Sequence, residues 1–285
     1  MGSEVKYVME ENWDFLIVLD ACRYDYFNKF YRDFFNSGTL QKAISPGRET
    51  VEWCVKNFTE YYHDVIYISP IPFINSMKAV KYRGFYFDAK KHFYRVVDLW
   101  KHGWDNTLQT VRPEAVNTAA LTLLKLHPNK RLIIHYMQPH APYLSLNVPS
   151  SNILPKKLKK SVVERVLNTS PILEAKTLAL NALVRNIGTE TVWRLNKIFG
   201  FRNVLPSHME MAWRLVGKEG VRKAYVENLK IVLGHVKGLI EHLHGKIVIT
   251  ADHGELLGED GLYEHGIHLP RHPKLVEIPW FIVEK

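Results

Sequence analysis

Hydrophobic and polar positions along this chain fall into two kinds of run. Unbroken apolar stretches at Phe15–Asp20, Val65–Ser69, Arg131–Met137, Lys246–Asp252 and Trp280–Glu284 read as strands, because a strand covered on both faces is apolar at nearly every position rather than at every second one. Between them, apolar residues recur at helical spacing over Ala21–Phe35, Thr50–Tyr62, Arg112–Leu126 and Lys218–Leu243. Strands that alternate with helices predict an α/β fold with a mostly parallel central sheet sandwiched by helices. From Leu144 to Gly217 the pattern changes to short, basic, helix-like pieces broken by Pro155, Pro171, Gly188, Gly200 and Pro206. Residues 145–217 therefore read as a helical insertion or cap within a single domain spanning 1–285.

The ends of the predicted strands carry the chemistry. Lys246–Thr250 runs into Ala251, Asp252, His253, Gly254 and Glu255, and Phe15–Leu19 runs into Asp20. Parallel strands deliver their C-terminal ends to one rim of a sheet, where open α/β folds bind ligands, so Asp20 and Asp252 can meet across most of the chain. Carboxylate oxygens with an imidazole nitrogen suit a divalent cation, zinc or manganese before calcium. Either aspartate could instead simply cap a helix. The segment Ser45-Pro-Gly-Arg-Glu-Thr50 opens the next predicted helix, where free amides and the helix dipole favour an anion. Thr50 is the candidate nucleophile there, with a plain N-cap as its ordinary explanation, and Arg48 is the nearby cation. A fourth strand end presents His140 between Pro139 and Pro142, and a Gly-rich loop, Gly258–His268, presents His265 and His268.

Composition sets limits on this picture. The 285 residues are 46% hydrophobic and 24% charged, enough for one large core. No apolar run is long enough for a membrane span, and the start lacks the basic-then-apolar layout of a signal peptide, so the expected location is cytoplasmic. Met1-Gly2-Ser3 is too short a match for a myristoylation signal to carry weight. Cys22 and Cys54 form no metal-knuckle or CxxC spacing. Pro155 to Lys230 holds 15 Lys and Arg against 6 Asp and Glu, a surplus equal to the whole formal net charge of +9. Such a segment would draw a small anionic ester toward the rim, or would simply be a solvated face; with no nucleic-acid motif beside it, nucleic acid is not the expected partner.

Four motifs, LIVLDACRYDYF, SPGRETVEW, HYMQPHAPY and ITADHGELLGEDGLYEHGIH, stand in the order found in the alkaline phosphatase and sulfatase superfamily, and the chain resembles its sulfatase-like branch over nearly its whole length outside the insertion. The resemblance implies an alkaline phosphatase-like core in which Asp20, Asp252 and His253 hold a divalent metal that Thr50 also touches. It implies that His140 contacts the transferred group and that His265 or His268 assists the leaving group or binds a second metal. Two departures narrow the expectation: Ala21 replaces the second aspartate of sulfatases, and Cys54 lies in Cys-Val-Lys-Asn, outside the C/S-x-P-x-R signature needed for formylglycine. Thr50 is more similar to the nucleophile of the phosphodiesterase and phosphoglycerol- or phosphoethanolamine-transferase branches. Gln138 and Pro139 stand where phosphatases place a second-metal carboxylate, so one metal site is expected rather than two. The expected activity is metal-dependent hydrolysis or transfer of a phosphate ester, with a sulfatase and a non-catalytic anion-binding protein as alternatives.

Overall fold

The computed structural model describes residues 4–146, 181–199 and 206–285. Strands β1 (Phe15–Leu19), β2 (Thr39–Ile44), β3 (Tyr62–Ser69), β6 (Phe93–Asp98), β9 (Arg131–Tyr136), β10 (Lys246–Thr250) and β13 (Glu277–Glu284) form one sheet in the order β2-β13-β10-β1-β9-β3-β6. Three two-stranded ribbons complete the strands: β4 (Val80–Tyr82) with β5 (Phe85–Phe87), β7 (Trp104–Asp105) with β8 (Thr110–Val111), and β11 (Leu256–Glu259) with β12 (Leu262–Glu264). In the large sheet only β13 runs against its neighbours. The helices are α1 (Tyr24–Phe30), α2 (Thr50–Asn57), α3 (Leu99–His102), α4 (Pro113–Leu126), α5 (Thr189–Phe199) and α6 (His208–Ile240).

The five strands legible in the sequence are the sheet's interior plus its antiparallel member. Every residue of β1 is buried, and Leu16, Ile17, Val18 and Leu19 are wholly so, as befits a central strand with helices on both sides. The strands that the apolar pattern does not reveal, β2 and β6, are the two edges of the sheet. An edge strand is half exposed and keeps polar residues, so Thr-Leu-Gln-Lys-Ala-Ile carries no apolar run.

Helix bounds differ from the periodicity in two informative places. The helix expected from Ala21 starts only at Tyr24, because Ala21 adopts a left-handed φ of 58° that turns its N–H back onto Asp252. The Tyr225 hydroxyl of α6 holds that turn, donating to the Ala21 carbonyl (2.8 Å) and accepting from the Arg23 N–H (3.0 Å). The helix expected over Lys218–Leu243 starts as expected after a break at Gly217, whose φ of 68° is non-helical, ends at Ile240, and is preceded by a separate helical piece from His208. The expected insertion, 145–217, lies largely outside the described residues; within it, 181–187 and α5 are helical. Among the described residues no helix is long and apolar enough to cross a membrane.

Candidate metal and phosphate site

Strand register brings the site together. Val18 pairs with Thr250 and with His135, so three parallel strands end level, and the residues just beyond them share one rim. Asp20 and Asp252 each lie two positions past that paired level. Asp252 anchors the crossing: its Oδ1 accepts from the Ala21 N–H (3.1 Å) and the His253 N–H (2.9 Å), and its Oδ2 accepts from the Thr50 hydroxyl (2.7 Å). Ser45 fixes the loop leading to Thr50 by donating to the Asp252 carbonyl. Gly254 packs so tightly that a Cβ there would collide with the Lys274 carbonyl oxygen.

Thr50 is not an N-cap. Glu49 occupies that position, with extended backbone and no side-chain cap, and Thr50 begins α2 with its hydroxyl turned away to Asp252. The His253 Nδ1 lies 2.9 Å from the Gly254 carbonyl, to which it donates. Its Nε2 then faces Asp252 Oδ2 (3.3 Å), Asp20 Oδ1 (3.7 Å) and Thr50 Oγ1 (3.5 Å). Two carboxylates and an imidazole nitrogen thus converge on one point, and Asp20 Oδ1 is buried without a hydrogen-bond partner. The residues therefore fit a divalent metal.

A second donor set lies beside the first: His140, Glu255 and His265, whose ligand atoms, like those of Asp20, Asp252 and His253, fall within 4.8 Å of one another. The rings of His253 and His265 are 4.1 Å apart and those of His140 and His265 5.0 Å apart. Glu255 Oε1 accepts from His265 Nδ1 (2.9 Å), while Oε2 is buried without a partner, 3.8 Å from His140 Nε2. Glu255 was not among the candidate site residues, although it stands two positions after His253 in the same motif. Gln138 and Pro139 give His140 no carboxylate from its own strand end; Glu255 supplies one from a different strand end.

Two candidates sit apart from both donor sets. The Arg48 N–H donates to Glu52 Oε2 (2.8 Å) and its guanidinium stands 3.9 Å from the same carboxylate, one turn along α2. His268 is buried with Nδ1 unpartnered, next to Arg83, a residue with no motif to mark it.

Burial, followed by the charges of Asp252 and Glu255, raises the Asp20 carboxyl well above the usual range. Burial, then Glu264 and Asp252, does the same to Glu255. Burial also pushes Asp252 up, but His253, His135 and the Thr50 hydroxyl outweigh it and hold Asp252 below its ordinary value. Burial and then His253 lower His140 to about 4, so its imidazole is neutral near pH 7. His135, wholly buried beneath Asp252 with its Nδ1 2.7 Å from the Tyr67 hydroxyl, is also lowered to about 4 by burial.

His135 makes a pH prediction. Its folded pKa lies below the unfolded one, so above pH 6.5 it is neutral in both states and has no effect. As pH falls from about 6.5 to about 4, only the unfolded chain takes up the proton, and stability is lost with a slope approaching ~1.4 kcal/mol per pH unit. Urea midpoints of the metal-free protein at pH 7 and pH 5 should differ less in His135→Gln than in the wild type; an unchanged difference would refute the assignment.

The sheet and the helices that cover it share their fold with solved phosphoethanolamine transferase domains. The soluble domain of lipooligosaccharide phosphoethanolamine transferase A from Neisseria meningitidis superposes with a TM-score of 0.53 at 12% identity, covering 99% of this chain and 77% of that one. The C-terminal periplasmic domain of EptC from Escherichia coli, in complex with Zn, gives 0.52 at 10% identity over 96% of this chain and 74% of that one. The integral membrane form of the Neisseria transferase gives 0.51 at 12% identity, with 98% of this chain covering 47% of it. No family model and no curated protein matches the chain. The Escherichia coli neighbour is a periplasmic domain, so these likenesses lend no support to the expected cytoplasmic location.

Proposed function

We propose that the protein is a metal-dependent enzyme that transfers or hydrolyses a phosphate ester through Thr50. The observation that carries this reading is the Thr50 hydroxyl, buried at the start of α2 and hydrogen-bonded at 2.7 Å to Asp252 within the Asp20–Asp252–His253 cluster. Asp20, Asp252 and His253 would hold the cation, with Thr50 beside them. Such a cation supplies Lewis-acid stabilisation of negative charge on the ester and lowers the pKa of a neighbouring hydroxyl.

The chain's own residues do the rest. The Thr50 hydroxyl points its proton at Asp252, and its oxygen attacks phosphorus as the bond to the departing alcohol oxygen breaks. The first N–H groups of α2 face the same side as Thr50 and favour the negatively charged group. His140 holds that group from the opposite strand end. The Glu255–His265 pair, joined at 2.9 Å and holding a carboxyl raised well above the usual range, delivers a proton to the leaving alkoxide. Water, or an acceptor alcohol in a transferase, then attacks phosphorus and frees Thr50. The named activities of the structural neighbours, phosphoethanolamine transfer, agree with phosphorus as the centre.

A substrate panel tests the class. Zinc- or manganese-loaded protein should turn over p-nitrophenyl phosphate or its bis-ester at least tenfold faster than p-nitrophenyl sulfate. A preference for the sulfate would select sulfuric-ester hydrolysis instead. Turnover of none, together with no metal uptake, would leave an anion-binding protein.

A further inference from the structure

Beyond the reacting centre, a second group of buried polar atoms converges on Gly266. Arg83 Nη1, Glu49 Oε2 and His268 Nδ1 all lie within 2.9 Å of the point where a Cβ on this residue would stand, and its φ of 122° belongs to glycine. Arg83 comes from the turn between β4 and β5 and pairs with Glu49 at 2.8 Å, which ties that ribbon to the residue preceding Thr50. The hydrogen-bonding capacity here is only partly used. Arg83 Nε, Glu49 Oε1 and His268 Nδ1 are each buried with no hydrogen-bond partner, although Glu49 is 2% and His268 7% exposed. Buried polar atoms are seldom left unpaired without a ligand or water to meet them.

The charge around these atoms is skewed toward the cationic. Arg185, from the helical stretch 181–187 of the basic segment, reaches in from the other side and donates to the His268 carbonyl (2.6 Å) and the Ile267 carbonyl (3.3 Å). Among the described residues its guanidinium makes no ion pair, so its charge is not neutralised by a carboxylate. Burial first, and then the charges of Arg83, Arg185 and Arg48, hold His268 down to about 3, which leaves its imidazole neutral near pH 7. Glu49 and Glu264 are the opposing carboxylates, and Glu264 is raised by burial.

We propose that the cluster of Arg83 and His268 over Gly266, with the exposed Arg185 at its edge, is an anion subsite that receives a second acidic group carried by the substrate, next to the phosphate ester. This rests on the phosphate-ester reading above and extends it to the substrate: an ester whose alcohol or acyl part bears a carboxylate or a further phosphate. Arginine suits this task because its planar fork can engage two oxygens of such a group. The cluster also gives the basic surplus of the 155–230 segment a specific use, through Arg185.

Two unhydrolysable phosphonates separate the subsite from the reaction centre. Methylphosphonate offers only the reacting group, whereas phosphonoacetate adds a carboxylate one methylene away. Calorimetric titration of the zinc-loaded protein should show phosphonoacetate binding at least tenfold tighter than methylphosphonate. Arg83→Met and Arg185→Met should each remove most of that difference, while Glu49→Gln, which removes the competing carboxylate, should enlarge it. Metal chelation by phosphonoacetate is common to all variants and cancels in the comparison. Melting curves without ligand establish that the variants fold, and Arg83→Lys, which keeps the charge, should retain part of the preference if Arg83→Met does not fold. Equal affinities in the wild type, or a preference untouched by both arginine replacements, would overturn the subsite. Failure of methylphosphonate to bind at all would instead count against the phosphate-ester reading.

Discussion

Thr50→Ala should lower turnover of the preferred p-nitrophenyl ester by about 10³-fold or more at saturating metal, equivalent to about 4 kcal/mol of lost transition-state stabilisation. The hydroxyl is the only nucleophilic oxygen of a serine or threonine seen hydrogen-bonded to the carboxylates of the cluster among the described residues, at 2.7 Å from Asp252 and 3.5 Å from His253. Nothing else about Thr50 predicts so large an effect. It does not cap its helix, and its methyl group is a small part of the core, so the alanine variant should fold with a melting temperature within a few degrees of the wild type. Thr50→Ser should restore much of the rate, since it keeps the attacking oxygen. Turnover by Thr50→Ala within tenfold of the wild type would show that another group attacks.

The second large effect concerns the cation. Zinc or manganese at about a hundred times its dissociation constant should raise the melting temperature by about 4–5 °C, corresponding to ~2.7 kcal/mol of linkage in a chain of this size. Metal analysis should give one tightly held ion per chain. Asp252→Asn should abolish most of that shift, for reasons visible in the hydrogen bonds. The asparagine oxygen can still accept from the Ala21 and His253 N–H groups, and its amide can donate to the Thr50 oxygen, so the geometry survives while the charge goes. Without metal the same variant should melt somewhat lower than the wild type at pH 7, because His253, His135 and the Thr50 hydroxyl favour the Asp252 charge in the folded chain. A metal-induced shift of wild-type size in Asp252→Asn would place the ion elsewhere. Persistence of the shift after Glu255→Gln as well would exclude the second donor set.

Much of this site was legible before any coordinates. Asp20, Thr50, Asp252 and His253 stand at strand or helix junctions in recognisable motifs, and the structure brings all four together. His140 and His265 join the neighbouring donor set, whereas His268 and Arg48 lie outside both. Glu255 could have been found, since it shares the Asp-His-Gly-Glu run with two of the candidate ligands. Arg83 could not, because a lone arginine in a turn between two three-residue strands has no local pattern to distinguish it from a solvated surface residue.

The apolar strands, their alternation with helices and the identity of the groups at their ends are fixed locally, because they depend on short-range periodicity and on side chains adjacent in the chain. The strand order, the two polar edge strands, the delayed start of α1 and the clustering of Arg83, Arg185 and His268 about Gly266 were decided by the tertiary structure. Each depends on contacts between residues far apart in the chain: the N–H of Ala21 finds Asp252 231 positions away, and no local preference of either residue encodes that bond.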